Sequence, residues 1–228
     1  MSGQDTVVPG EVLAELRTSL VARHQELVRY GLVMWTAGNV SARVPGHDRF
    51  LIKASGVDYD GLRPEQMVLC DLDGRLVEDT ELSPSSDTAA HAYVYRAMPE
   101  IGGVVHTHSS YACAFAAVGQ PVPCVLTGIA DEFGGEIPVG PFALIGSDDI
   151  GKGIVSTLDG HRSKAVLMQN HGVFTIGKDA RTAVKTAVLC EDSARSVHLA
   201  RALGEPLAIA PADIDALYDR YQNVYGQR

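Results

Sequence analysis

Apolar residues recur at helical spacing in the opening segment. Val12, Leu16, Leu20 and Leu27 fall on one stripe of residues 11–31, and Gly31 supplies a C-terminal cap. The period then shortens: residues 40–44, 50–54 and 67–72 are short β-rich runs separated by turn residues, and Asp73-Gly74 turns the third into 75–77. Three strands and a hairpin in succession predict an antiparallel or mixed sheet, not a doubly wound one. A helical pattern over 88–98 leads into a strand at 104–108, behind a double glycine, and a second helix over 110–118 leaves it. Residues 122–146 are rich in Gly, Pro and small residues and read as strands joined by irregular loops. Next come a short helix at 148–158 and strands at 165–169 and 173–176, flanking Asn170-His171-Gly172. A long helix at 179–203, a break at 204–211 and a last helix at 212–221 complete the pattern. No internal repeat or low-complexity segment interrupts it. The prediction is an α/β fold in one domain spanning 1–228, with a central mixed sheet flanked by helices.

Composition narrows the partners more than the fold. The chain has 228 residues, 46% of them hydrophobic, and can bury one sizeable core. A net charge of −9 argues against nucleic acid as a partner, which calls for a basic footprint. An anionic ligand stays open, because phosphate sites use local backbone N–H groups and one or two cations. Residues 1–10 lack the apolar core of a secretory signal, and no apolar run approaches the ~20 residues of a membrane span. Cys70, Cys113, Cys124 and Cys190 form no Cys-x-x-Cys pair and read as buried free thiols of a reducing compartment. The expectation is a soluble cytoplasmic protein with no membrane partner.

Candidate chemistry concentrates between residues 83 and 110. Alternate residues of a strand share a face, so His106 and His108 project together. Two imidazoles held side by side can chelate Zn²⁺ or a first-row neighbour. Alternatively, one caps the helix starting at Ser109-Ser110 and the other is a satisfied core histidine. His171, at a strand end followed by glycine, is the candidate third imidazole, unless it fills a turn and bonds to backbone. Three protein ligands with an open position is the arrangement of a catalytic metal. Asp87 is either a fourth ligand or the N-cap of the next helix, where Ser85 and Ser86 compete. His91, one turn later, packs or supports the site, while His24, His47, His161 and His198 are assigned to helix or loop surface without a role.

Three turns favour an anion. Thr36-Ala37-Gly38-Asn39, Ser55-Gly56 and Ser85-Ser86 set small polar side chains beside exposed backbone N–H groups, the last at a helix N-terminus, and Lys53 adds a positive charge. Each alone is an ordinary turn or cap; beside a metal they suggest a phosphorylated small molecule. Asp131, in a loop too apolar for simple surface, is an acid–base candidate. Tyr225, three residues from the C-terminus, belongs either to a frayed end or to a tail packed over a site, possibly that of a neighbouring subunit.

These motifs, in this order, resemble the class II aldolase/adducin family over about residues 12–227. The matching stretches are Thr-Ala-Gly-Asn-Val-Ser (36–41), Ile-Lys-Ala-Ser-Gly-Val-Asp-Tyr (52–59), Pro-Ser-Ser-Asp-Thr-x-x-His (84–91), Pro-Glu-Ile-Gly-Gly-Val-Val-His-Thr-His-Ser (99–109) and Asn-His-Gly-Val-Phe (170–174). Within the family the likeness is greatest to L-ribulose-5-phosphate 4-epimerases, through Lys53 before Ser55-Gly56, Asp87 after the paired serines, Ala130-Asp131 and the closing Tyr225-Gly226-Gln227. The resemblance implies a three-layer class II aldolase-like fold and a homotetramer of fourfold symmetry with sites between adjacent subunits. It implies a divalent metal, usually Zn²⁺ with Mn²⁺ or Co²⁺ as alternatives, and a phosphorylated ketose substrate. His106, His108 and His171 would be the metal ligands, with Asp87 near or on the metal. Gly38, Asn39, Lys53, Ser55, Gly56, Ser85 and Ser86 would hold phosphate, and Asp131 with Tyr225, donated by a neighbour, would transfer protons.

The implied reaction opens the bond between carbons 3 and 4 of L-ribulose 5-phosphate through a metal-stabilised enediolate. Closing it on the opposite face gives D-xylulose 5-phosphate. The alternatives are an aldolase of the L-fuculose-1-phosphate type, a decarboxylase of a phosphorylated sugar acid, and a non-catalytic adducin-head-like binding module. From the aldolase pattern the chain departs at Asp87, where a glutamate is usual, and near Thr127, where a tyrosine is usual. From the epimerase pattern it departs at Ile129, where a histidine is usual, in a shorter loop after Pro138, and in lacking a histidine at 212–228.

Overall fold

The computed structural model describes residues 7–224. The first helical pattern becomes α1 (Gly10–Arg29), which buries Leu20, His24 and Leu27. Just beyond it, Gly31 turns the chain at a φ of 67°, a left-handed conformation that glycine enters without a Cβ penalty. The β-rich runs become β1 (Asn39–Arg43), β2 (Arg49–Lys53) and β3 (Met67–Asp71), paired antiparallel in chain order. Next come α2 (Thr88–Ala97), β4 (Gly103–Thr107), α3 (Ser110–Ala117), α4 (Thr127–Phe133) and β5 (Val139–Gly140). The chain continues with α5 (Asp149–Leu158), β6 (Ala165–Met168), β7 (Gly172–Gly177), α6 (Ala180–Leu203) and α7 (Pro211–Asn223).

The strand order is β3-β2-β1-β4-β7-β6-β5, antiparallel except where β5 runs parallel to β6, so the sheet is mixed as its pattern predicts. Strand alternation assigns its two faces. Phe50, Ile52, Val104, Val166, Phe174 and Ile176 pack with residues of α2 and α5. Val40, Leu51 and Val105 meet α1 and α6, and Leu167 and Val173 meet α3 and α6. Helix, sheet and helix make three layers. The double glycine ahead of β4 is a packing requirement, because a Cβ on Gly103 would lie 2.4 Å from the backbone nitrogen of Ala180 at the start of α6.

Two expectations are corrected. Residues 122–146 hold a helix, α4, and only a two-residue strand, β5. Leu126, Ile129, Ala130 and Phe133 follow the i, i+3, i+4, i+7 spacing of a helix, and Gly134 caps it at a φ of 63°. The surrounding Gly and Pro residues obscured that period, so Asp131 stands on a helix and not in a loop. His24 is not a surface residue either: it is 0% exposed, its Nδ1–H donates to the Leu20 carbonyl (2.7 Å), and its Nε2 accepts from the Val40 N–H (2.9 Å). All four cysteines are free; Cys70 and Cys190 are buried, and Cys113 and Cys124 are half-buried. Among the described residues no helix is long and apolar enough to cross a membrane.

Candidate metal and anion site

Antiparallel pairing of β4 with β7 sets His106 opposite Phe174 and Thr107 opposite Val173. The end of one strand thus lies beside the start of the other, and His171, in the turn between β6 and β7, meets His106 and His108. Asn170 enables that turn at a φ of 55°, a left-handed conformation that asparagine tolerates better than most residues. Ligand nitrogens of the three rings all lie within 4.8 Å of one another, and those of His106 and His108 are 2.9 Å apart. The His106 Nδ1–H donates to the Val173 carbonyl (3.0 Å), which leaves the Nε2 lone pair facing its neighbours. The same ring stacks on Phe174 at 4.2 Å.

Burial drives His106 down to about 3 and lowers His108 and His171 as well, so the rings are neutral at ordinary pH. Neutral imidazole is the form that binds a metal. Nδ1 of His171 is buried without a hydrogen-bond partner, and so is Oδ1 of Asp87, which lines the same cavity but is not among the three residues whose ligand atoms cluster. Three clustered imidazole nitrogens form a donor set that suits a divalent cation such as Zn²⁺.

Asp87 holds the N-cap position of α2, yet its side chain makes no capping bond. Asn39 Nδ2 donates to its Oδ2 instead (2.9 Å). Burial pushes the Asp87 carboxyl up, but His106, His91, the Asn39 amide and His171 outweigh that and hold it below the usual carboxylate value. The Asn39 contact is the first rung of a polar ladder. Residues 39, 41 and 43 of β1 share one face, and residues 87, 91 and 95 recur every fourth position along α2. Ser41 Oγ lies 2.7 Å from both His91 Nδ1 and Tyr95 Oη. The Arg43 guanidinium bonds the Tyr95 carbonyl and sits 5.0 Å over the Tyr95 ring.

A cavity of about 190 Å³ joins the imidazoles to the anion-favouring turns. It is lined by Gly38, Asn39, Lys53, Ser55, Gly56, Ser85, Ser86, Asp87, His106, His108 and His171, which are all the metal and phosphate residues singled out from the sequence. Ser55 N–H donates to the Ser83 carbonyl (2.9 Å), and Ala54 bridges Pro84, so two of the turns sit side by side. The Lys53 ammonium donates to the Val57 carbonyl (2.6 Å), and desolvation lowers its pKa against the opposing pull of Asp58. Gly38 has a φ of 80°, and a Cβ there would lie 2.8 Å from the His106 carbonyl. Two contributors escaped the sequence reading. Tyr59 fixes the 36–39 turn, its Oη lying 2.9 Å from the Ala37 and Gly38 carbonyls. Ile145 lines the cavity beside exposed Phe142 and Leu144, an unpartnered apolar run that was the available signal.

Asp131 does not line this cavity. It stands on α4 with its Oδ1 buried and without a hydrogen-bond partner, and its backbone carbonyl accepts from Gln222 Nε2 on α7 (3.3 Å). Tyr225 lies outside the described residues.

Residues 18–198 match the family described as Class II Aldolase and Adducin N-terminal domain. Over 227 residues the chain is 36% identical to the L-ribulose-5-phosphate 4-epimerase UlaF of Salmonella paratyphi B, covering 94% of this chain and 96% of the relative. A solved L-fuculose 1-phosphate aldolase superposes with a TM-score of 0.85 at 25% identity, covering 92% of this chain and 97% of the other. The L-fuculose-1-phosphate aldolase from Thermus thermophilus gives 0.70 at 27% identity over 85% and 100% of the two chains. With the imidazole triad and anion turns gathered in one cavity on this fold, the chain belongs to the class II aldolase and adducin N-terminal domain family.

Proposed function

We propose that the chain is a divalent-metal-dependent L-ribulose-5-phosphate 4-epimerase, a cytoplasmic homotetramer in which residues 1–228 form one catalytic domain. The observation that carries this reading is the single cavity in which His106, His108 and His171 face the turns around Gly38, Ser55 and Ser85. The 36% identity to an enzyme of that name supports the choice of reaction.

His106, His108 and His171 would hold the cation, with Asp87 beside them. When bound, Zn²⁺ or a related ion would polarise the sugar carbonyl and offset the negative charge that develops as the carbon–carbon bond opens. The backbone N–H groups and hydroxyls of residues 38–39, 55–56 and 85–86, with the Lys53 ammonium, would orient the phosphate. Asp131 and Tyr225 of a neighbouring subunit would serve the two faces of carbon 4. One takes the hydroxyl proton as the bond between carbons 3 and 4 breaks, and the other returns a proton when it re-forms.

Metal-loaded protein incubated with L-ribulose 5-phosphate should form D-xylulose 5-phosphate, and His106→Ala should lose both the metal and this turnover. Full metal occupancy without product would sink the epimerase reading. The likeness to L-fuculose 1-phosphate aldolase favours a second one, which release of dihydroxyacetone phosphate from a ketose 1-phosphate would establish.

A further inference from the structure

The middle rung of the ladder between β1 and α2 carries a group that neither the cavity nor the core accounts for. His91 is 0% exposed, lies edge-on to Phe174 with ring centroids 6.0 Å apart, and has its Nδ1 edge against Ser41. Its Nε2 is buried without a hydrogen-bond partner. Asp87, one helical turn earlier on the same face, has an Oδ1 in the same condition. The two atoms make no hydrogen bond to each other in this structure, yet they sit on one helix face, one able to donate and one an acceptor, and are complementary.

We propose that His91 is a positioning residue for Asp87: gripped at Nδ1 by Ser41, its ring would turn Nε2–H toward the carboxylate and so set the angle at which that carboxylate faces the three imidazoles. The inference rests on the metal reading given above, and it adds a residue behind the cluster.

A buried neutral imidazole carries one proton, and Ser41 decides where it sits. Ser41 Oγ is equidistant, at 2.7 Å, from Nδ1 and from the Tyr95 hydroxyl, so its proton points one way or the other. If Tyr95 donates to Ser41 and Ser41 donates to Nδ1, the ring proton is on Nε2. In the opposite sense Nδ1 holds the proton and a bare Nε2 lone pair remains. Asp87 breaks the tie, since a negative charge one helical turn away attracts an N–H and repels a lone pair. With Oδ2 already held by Asn39, a second contact at Oδ1 would leave the carboxylate no freedom to swing away from His106. Residues that orient metal ligands from behind govern metal affinity as well as activity.

Two variants separate the ends of the ring. His91→Asn keeps a polar atom near Nδ1 for Ser41 and removes the Nε2 end; His91→Gln keeps a donor near Nε2 and releases Ser41. Zinc dissociation constants from competition with a chromophoric chelator should rise about 10–100-fold in His91→Asn. His91→Gln should stay near wild type, and the absorption bands of bound Co²⁺ should change in the Asn variant alone. The reverse order, or wild-type affinity and spectrum in both, would overturn the inference. Should either variant fail to fold, long-range ¹⁵N–¹H correlation spectra of metal-free wild-type protein decide the matter. A His91 proton on Nε2 supports the inference, and one on Nδ1 overturns it. Failure of the metal reading looks different: wild-type protein would then bind no zinc that His106→Ala removes.

Discussion

His24 and Lys53 are both ionisable groups taken out of water, with different consequences. His24 ties α1 to the first residues of β1, and burial drives it from 6.5 to about 3. Since the folded pKa lies below the unfolded one, the unfolded chain binds the extra proton as pH falls. Stability is therefore full above about pH 6.5 and is lost progressively toward pH 3. His91 and His106, lowered to about 4 and about 3, act in the same direction. Thermal melts of metal-free protein should give a lower Tm at pH 5 than at pH 7, and His24→Gln should shrink that difference; a Tm independent of pH over this range would contradict the argument. Lys53 keeps its ammonium at the cavity wall. A hydrogen bond to a charged group is worth about 1.5–3 kcal/mol, so Lys53→Met should raise KM for a sugar phosphate about 10–100-fold with a smaller change in kcat. Steady-state kinetics with phosphorylated and unphosphorylated sugars checks this, because only the former should respond. His106 and His108 were legible because a strand has a strict two-residue period. His24 was not, because a polar residue on a helix stripe gives no sign of the backbone N–H it satisfies.

At the level of elements, strand pairing and helix docking make the site. The pairing of β4 with β7 unites histidines far apart in sequence, and it works only if α6 can lie directly on the glycine that opens β4. Gly103→Ala should therefore destabilise the fold by about 1–3 kcal/mol through overpacking. Gly128 in α4 has nothing within 4 Å of an added Cβ, and Gly128→Ala should stabilise by about 0.4–1 kcal/mol. Urea unfolding of both variants checks the pair, and equal effects would refute the steric account. Helix α4 escaped notice because it is only seven residues long and is flanked by Gly and Pro, so composition outweighed a correct but brief periodicity. The strands of the first half announced themselves, since each is a β-rich run ended by a turn residue.

For the whole molecule, the cavity of one chain holds the donor set and the anion turns but not Asp131, which fits a site completed across subunits. His106→Ala and Asp131→Asn should each be inactive. In the proposed ring, an equimolar random mixture of the two should regain about a quarter of wild-type activity, because that fraction of sites would pair two intact halves. No recovery after verified mixing would place both roles within one subunit. The order of the five motifs made the architecture readable, whereas neighbour relations depend on surfaces that carry no period. The ladder between β1 and α2 also governs where the chain accepts a change of length. Two residues of strand advance about 6.6 Å and four of helix about 6 Å, so the rungs keep step only over a short span, as on a vernier. One residue inserted between Asp87 and His91 would rotate all that follows by about 100° and unmatch every later rung. The same insertion in the mostly exposed loop at residues 205–208, outside both rows, should pass almost unnoticed.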